Sequence, residues 1–120
     1  MIAAAVCICS CEKIFTPSSM TLSAEEQSVT IETTIRPESL GISDYDGNGT
    51  NLPIYDEETK TYTVNYTWLT ASIADSSYEN GRYTLVISVQ RNTTGKSRTL
   101  YISGMNKNFQ DSMIVTQKKQ

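Results

Sequence analysis

Tyr62-Thr63-Val64-Asn65-Tyr66-Thr67-Trp68 and Tyr83-Thr84-Leu85-Val86-Ile87-Ser88-Val89 place an apolar or aromatic residue at every second position. A period of two belongs to a strand with one face buried and one face wet. The same pattern extends in both directions from this pair. A turn spans Asp75 to Gly81, and Asn92-Thr93-Thr94-Gly95 makes the next, with Gly95 suited to a positive φ. Leu100 and Ile102 point inward on the following strand, Gly104 to Asn108 turns again, and Met113 and Val115 close the sheet. Upstream, Met20 to Ala24 is the first strand, Glu25-Glu26-Gln27 turns, and Val29, Ile31 and Ile35 supply one face of the second. Pro37 has no N–H to give a ladder, so that strand is expected to end near Arg36. No stretch sustains a helical period. The expected fold is all-β, an immunoglobulin-like antiparallel β-sandwich of about seven strands over residues 20–120.

Residues 37–60 interrupt the regularity with Pro37, Gly41, Gly47, Gly49 and Pro53. Leu40-Gly41-Ile42 and Leu52-Pro53-Ile54-Tyr55 are expected as short edge strands within a long hairpin or loop, because their apolar residues need somewhere to pack. The length of 120 residues suits one domain, which needs neither metal nor disulfide to fold. A net charge of −3 argues against nucleic acid as a partner. The charge is nevertheless polarised: residues 12–58 carry ten acids and two bases, and residues 81–120 carry seven bases and one acid. Histidine is absent and all three cysteines, Cys7, Cys9 and Cys11, precede the body. The body therefore lacks the commonest general base, the commonest zinc ligand and any thiol nucleophile. Hydrolytic chemistry would fall to carboxylates such as Glu57, Glu58 or Asp75, and a chain this small rarely builds the cleft a glycosidase needs. No enzymatic activity is expected.

The first residues read as an address. Ile8, Ser10 and Cys11 match the end of a bacterial lipoprotein signal, with residues 1–10 removed and Cys11 carrying the lipid. The basic n-region and full apolar stretch of such a signal are missing upstream. The apolar run is too short to span a bilayer, so membrane contact is expected through the lipid anchor alone. Residues 11–19 are expected to form an extended tether, and the location is the bacterial envelope at the outer membrane.

Four motifs follow in order: Trp68-Leu69-Thr70-Ala71, Gly81 to Val89 with the form G-x-x-x-L-x-I-x-V, Asn92-Thr93-Thr94-Gly95-Lys96-Ser97-Arg98, and Val115-Thr116-Gln117. From Tyr66 to Gln117 the chain thereby resembles the BACON domain, a Bacteroidetes-associated immunoglobulin-like module. The resemblance implies a non-catalytic role. Carbohydrate binding was inferred for such domains from the surface glycosidases and lipoproteins that carry them, and a spacer role is equally compatible. Residues 37–60 are longer and more acidic than the family pattern, which makes them the place for a function private to this chain.

Trp68, the only tryptophan, is expected in the core on a central strand. The ligand-stacking candidates are the aromatics outside the buried register: Tyr45, Tyr55, Tyr78 and Tyr101. Arg98 is expected to bond the turn's carbonyls or to pair with a carboxylate, and Gln117 to close the last strand. Asp44-Tyr45-Asp46-Gly47-Asn48-Gly49 matches the first half of a calcium loop, which offers Asp44, Asp46 and Asn48 as oxygen ligands for Ca²⁺. Tyr55 stands where the loop's bidentate glutamate belongs, and Asp-Gly and Asn-Gly serve equally as hairpin-tip residues. No other cofactor is expected. The functional expectation is a surface binding module for carbohydrate (a glycan or mucin) or for a surface protein. The alternative is a structural spacer or assembly subunit of an envelope lipoprotein complex.

Overall fold

The computed structural model describes residues 13–120, so Cys11 and the expected signal segment lie outside the described residues. The sequence builds two sheets that face each other. The first has six strands in the order β1 (Phe15–Thr16), β3 (Gln27–Thr33), β9 (Tyr83–Val89), β8 (Leu69–Ala74), β7 (Thr61–Tyr66) and β6 (Ile54–Asp56). The second has five, in the order β2 (Ser19–Leu22), β11 (Phe109–Gln117), β10 (Arg98–Asn106), β4 (Gly41–Ser43) and β5 (Gly49–Thr50). Every pairing is antiparallel except β2 with β11. The sandwich thus carries eleven strands among the described residues rather than about seven. Six of the seven strands of four residues or more (β2, β3, β7, β9, β10 and β11) correspond to the expected strands, whereas β8 lies between the expected Tyr62–Trp68 strand and the expected turn. Of the four short strands, β1 lies in the expected tether, β4 and β6 overlap the two expected short edge strands, and β5 is additional.

One of these short strands is a correction. Residues 14–19 are not a free tether: Ile14 and Phe15 are buried, and β1 pairs with β3 at Phe15↔Thr33. The chain then crosses to the second sheet around Pro17, after a cis Thr16–Pro17 bond, and enters β2. The folded body therefore starts by Ile14. Residues 37–60 form a 3-10 turn (Pro37–Ser39), then β4, β5 and β6. Of these β6 lies at a sheet edge, whereas β4 sits between β10 and β5.

The core follows the alternation. Val64, Leu69, Ala71, Ile73, Leu85, Ile87 and Ile31 from the first sheet meet Leu22, Ile42, Leu100, Ile102, Met113 and Val115 from the second. Burial of apolar area on this scale, at roughly 25 cal/mol per Å², is what holds the layers together. Phe15, Ile35 and Leu40 fill the end where β3 finishes, here called the lower end. Gly104 is buried at that end because a Cβ there would press on the Ile35 side chain. The polarised charge is partly paired within the first sheet, between β3 and β9 and their ends: Arg82 approaches Glu32 (3.7 Å) and Arg91 approaches Glu25 (3.5 Å). Both pairs are well exposed and contribute little to stability.

Candidate functional site

The motif residues meet at the upper end, where they join the strands to one another. Trp68 is buried as expected, but it sits in the two-residue turn Thr67–Trp68 between β7 and β8 and not within a strand. Its ring lies under the Arg98 guanidinium, 4.6 Å from the ring centroid, a cation–π contact. Arg98 Nε donates to Gln117 Oε1 (2.9 Å), and its Nη2 donates to the Gln90 and Arg91 carbonyls (3.0 and 3.3 Å). Burial lowers the Arg98 pKa from its ordinary value, yet a guanidinium stays charged throughout. Gln117, fully buried, returns a bond from Nε2 to the Gln90 carbonyl (2.9 Å). Asn92, also fully buried, donates from Nδ2 to the Lys96 and Lys118 carbonyls (2.8 and 3.0 Å) and accepts from the Thr94 N–H (3.1 Å). Each strong polar group here already has an internal partner.

The calcium-like segment forms the tip of the β4–β5 hairpin. Asp44 Oδ1 accepts the N–H groups of Asp46 and Asn48 (both 2.9 Å), and the Asp44 N–H donates to the Asn48 carbonyl (2.7 Å). A carboxylate in an Asx-type turn explains the same letters that suggest a calcium loop. Among the described residues, no three of His, Cys, Asp and Glu converge as a metal-holding group. The backbone bond from Asn48, followed by weaker donors, lowers the Asp44 pKa despite some desolvation. The carboxylate's contribution is therefore present above the unfolded aspartate range, about 3.9, and is lost as pH falls through the lower folded value. The Asp46 and Asn48 amide resonances should shift together in that acid window and stay fixed above it. Titration of these amides near neutral pH would contradict the turn-capping role.

The ligand-stacking candidates divide. Tyr45 projects at the upper hairpin tip, 87% exposed, and Tyr101 lies half-buried on the outward face of β10 opposite Ile114. Tyr55 and Tyr78 instead come to the lower end, beside two tyrosines the alternation had put in the core. Tyr55 on β6 is registered with Tyr62 on β7, ring centroids 4.5 Å apart. Tyr78, after the 3-10 turn Asp75–Ser77, packs on Tyr83 of β9 at 4.8 Å. Both pairs are tilted, at 47° and 54°. Asp75 lies between them: the Tyr55 hydroxyl donates to its Oδ2 (3.4 Å). Burial first, and then the Asp75 charge, raise the pKa of Tyr55 and Tyr83, so both phenols remain hydrogen-bond donors. Tyr78 is 57% exposed and Tyr55 38%. The result is a surface patch of two tyrosine pairs beside one carboxylate, here called the mouth, with ring area exposed for stacking and an oxygen acceptor next to it. Tyr62 and Tyr83 keep the inward register the sequence predicts. Both are half-buried there.

Residues 55–118 match the BACON family, described as "Putative binding domain, N-terminal". This chain belongs to the BACON family. No curated protein matches it. Among solved structures, the BACON chain resembles an NMR structure of a protein from Bacteroides thetaiotaomicron (16% identity, TM-score 0.55, covering 86% of this chain and 77% of that one). It also resembles part of a Bacteroides ovatus GH5 xyloglucanase in complex with a XXXG heptasaccharide (17% identity, TM-score 0.51, covering 86% of this chain). It spans only 17% of that xyloglucanase chain. At these identities the likeness is one of fold. The BACON match begins at Tyr55, so it contains all four tyrosines of the lower mouth and leaves out Tyr45.

Proposed function

We propose that this BACON domain is a non-catalytic binding module of the bacterial surface that takes a glycan at the lower mouth. The observation that carries the reading is the convergence of Tyr55, Tyr62, Tyr78 and Tyr83 around Asp75, with Tyr55 and Tyr78 open to solvent. Sugar rings present C–H faces for aromatic stacking and hydroxyls for a carboxylate acceptor, and this mouth offers both. The presence of a like fold within a xyloglucanase supports the same ligand class. An assembly subunit would need a long open edge for strand addition. The edge strands here are β1, β2, β5 and β6, of 2, 4, 2 and 3 residues. β1 nevertheless covers β3 only at Glu32 and Thr33, so among the described residues Gln27 to Ile31 keep an open flank, and the glycan reading rests on the tyrosines rather than on closed edges.

The test is a glycan array that includes mucin and the XXXG heptasaccharide, probed with and without calcium. Saturable binding is expected, and Tyr78→Ala should weaken it about tenfold or more, as loss of an aromatic anchor does. Binding that survives Tyr55→Ala and Tyr78→Ala combined would remove the mouth from consideration. Calcium dependence would move attention to Asp44, Asp46 and Asn48. Anchorage at Cys11 belongs to the same proposal: Cys11→Ser is expected to release the protein from the outer-membrane fraction. Unchanged fractionation would refute the anchor.

A further inference from the structure

The lower half of the other sheet carries a second concavity. On the outward face of β10 and β11 lies a groove of about 630 Å³ whose lining includes Ser39, Asn51, Ser103, Met105, Gln110 and Ser112. Its origin is a mismatch in strand length. β4 pairs with β10 only from Tyr101 to Ser103, because it begins at Gly41. Beyond that point the flank of β10 is supplied by the 3-10 turn, where the Met105 N–H donates to Ser39 Oγ (2.8 Å) and the Arg36 N–H to the Met105 carbonyl (3.0 Å). Glycine at position 41 lets the neighbouring strands approach, since a Cβ there would stand 3.2 Å from the Thr50 carbonyl oxygen and 3.3 Å from Ser103 Oγ. A hollow of about 320 Å³ shares Asn51 and Ser103 with the groove and continues it along β5.

The lining chemistry selects the ligand. Hydroxyls and side-chain amides dominate, and the only charged residue is Asp111, whose Oδ1 already accepts the Ser112 N–H (2.8 Å). Among the described residues no Lys or Arg lines the groove, so an anion finds no counter-charge there, and one carboxylate cannot hold a metal ion. Met105, 39% exposed, is the one sizeable apolar side chain, too little for an apolar ligand but enough for one sugar face. Asn and Gln amides each offer a donor and an acceptor, the pattern that neighbouring hydroxyls on a ring require.

We propose that this groove is a second binding site, for a neutral oligosaccharide chain lying across β10 and β11. It does not rest on the tyrosine mouth, which opens at the lower end of the other sheet. The test is amide chemical-shift mapping of the purified protein with cellohexaose, xylohexaose and maltohexaose as separate probes. At least one is expected to give saturable shifts at Asn51, Ser103, Gly104 and Ser112, with a dissociation constant on the order of 1 mM. Ser112→Arg, an exposed position on β11, should abolish those shifts by filling the groove, and Asn51→Ala should weaken them. Tyr55→Ala with Tyr78→Ala should leave them unchanged. The proposal is overturned if all three probes leave these amides still at about 10 mM, a concentration roughly tenfold above the expected constant. It is equally overturned if the shifts persist in Ser112→Arg, or if they vanish only in the tyrosine variant.

Discussion

Trp68→Ala is expected to destabilise the sandwich by about 3–5 kcal/mol, the cost of truncating a large buried aromatic side chain. The indole is 9% exposed and has a structural task at each side. Beneath it lies the apolar cluster it helps to close, and above it stands the Arg98 guanidinium. Its removal opens a cavity and leaves a partly desolvated cation without its aromatic face, although the bonds from Arg98 to Gln117 and Gln90 remain available. Urea denaturation followed by circular dichroism measures the effect, with an unchanged slope expected if only stability has changed. Trp68→Tyr, which keeps a ring under Arg98, should cost clearly less. A Trp68→Ala protein as stable as the parent, but unable to bind glycan, would make this residue a ligand contact.

Trp68 also shows where the sequence is legible and where it is not. Alternation assigns the buried face correctly at Val64, Leu85, Ile87, Leu100, Ile102, Met113 and Val115, because burial on one side of a strand depends on local parity alone. The tight β7–β8 turn escapes the same reading. Thr67 holds a positive φ of 53° with no glycine or asparagine to signal it, and the period of two runs straight through. β1 is hidden for another reason: a two-residue strand carries no period, and only its distant partners Thr33 and Glu32 define it. The tyrosine mouth is likewise non-local. Tyr55 and Tyr78 stand outside the buried register in the sequence, whereas Tyr62 and Tyr83 carry core parity and give no local sign of the rings they meet. Asp75 stands out in the sequence only as one of several carboxylates, because its place beside Tyr55 depends on the 3-10 turn that follows β8. Asn92 is visible as a turn letter, while its reach to the Lys118 carbonyl joins residues 26 apart in the chain, which no local pattern shows.

That reach makes Asn92 the second position with a large expected effect. Its side chain is fully buried, and its Nδ2 group holds the Lys96 and Lys118 carbonyls, so the β9–β10 loop is fastened to the end of β11. Asn92→Ala removes both donors and the acceptor for the Thr94 N–H and hydroxyl. Each buried polar group left without a partner costs about 1–3 kcal/mol, so a loss of roughly 2–4 kcal/mol is expected once water reaches some of them. Asn92→Asp keeps the shape and separates geometry from charge. An ionised carboxylate there would face two carbonyl oxygens in a buried site, so its folded pKa must rise above the unfolded value of about 3.9. The protonated acid can donate to one of those carbonyls, whereas the ionised form can donate to neither. Asn92→Asp should therefore lose least at acid pH and lose progressively more as pH rises through the unfolded value toward the raised folded one. Paired urea titrations of parent and variant at about pH 4 and pH 7, on either side of the expected ionisation, measure the difference. A pH-independent gap would mean that the loop relaxes to hydrate residue 92. The fastening of β11 would then rest mainly on Arg98 and Gln117.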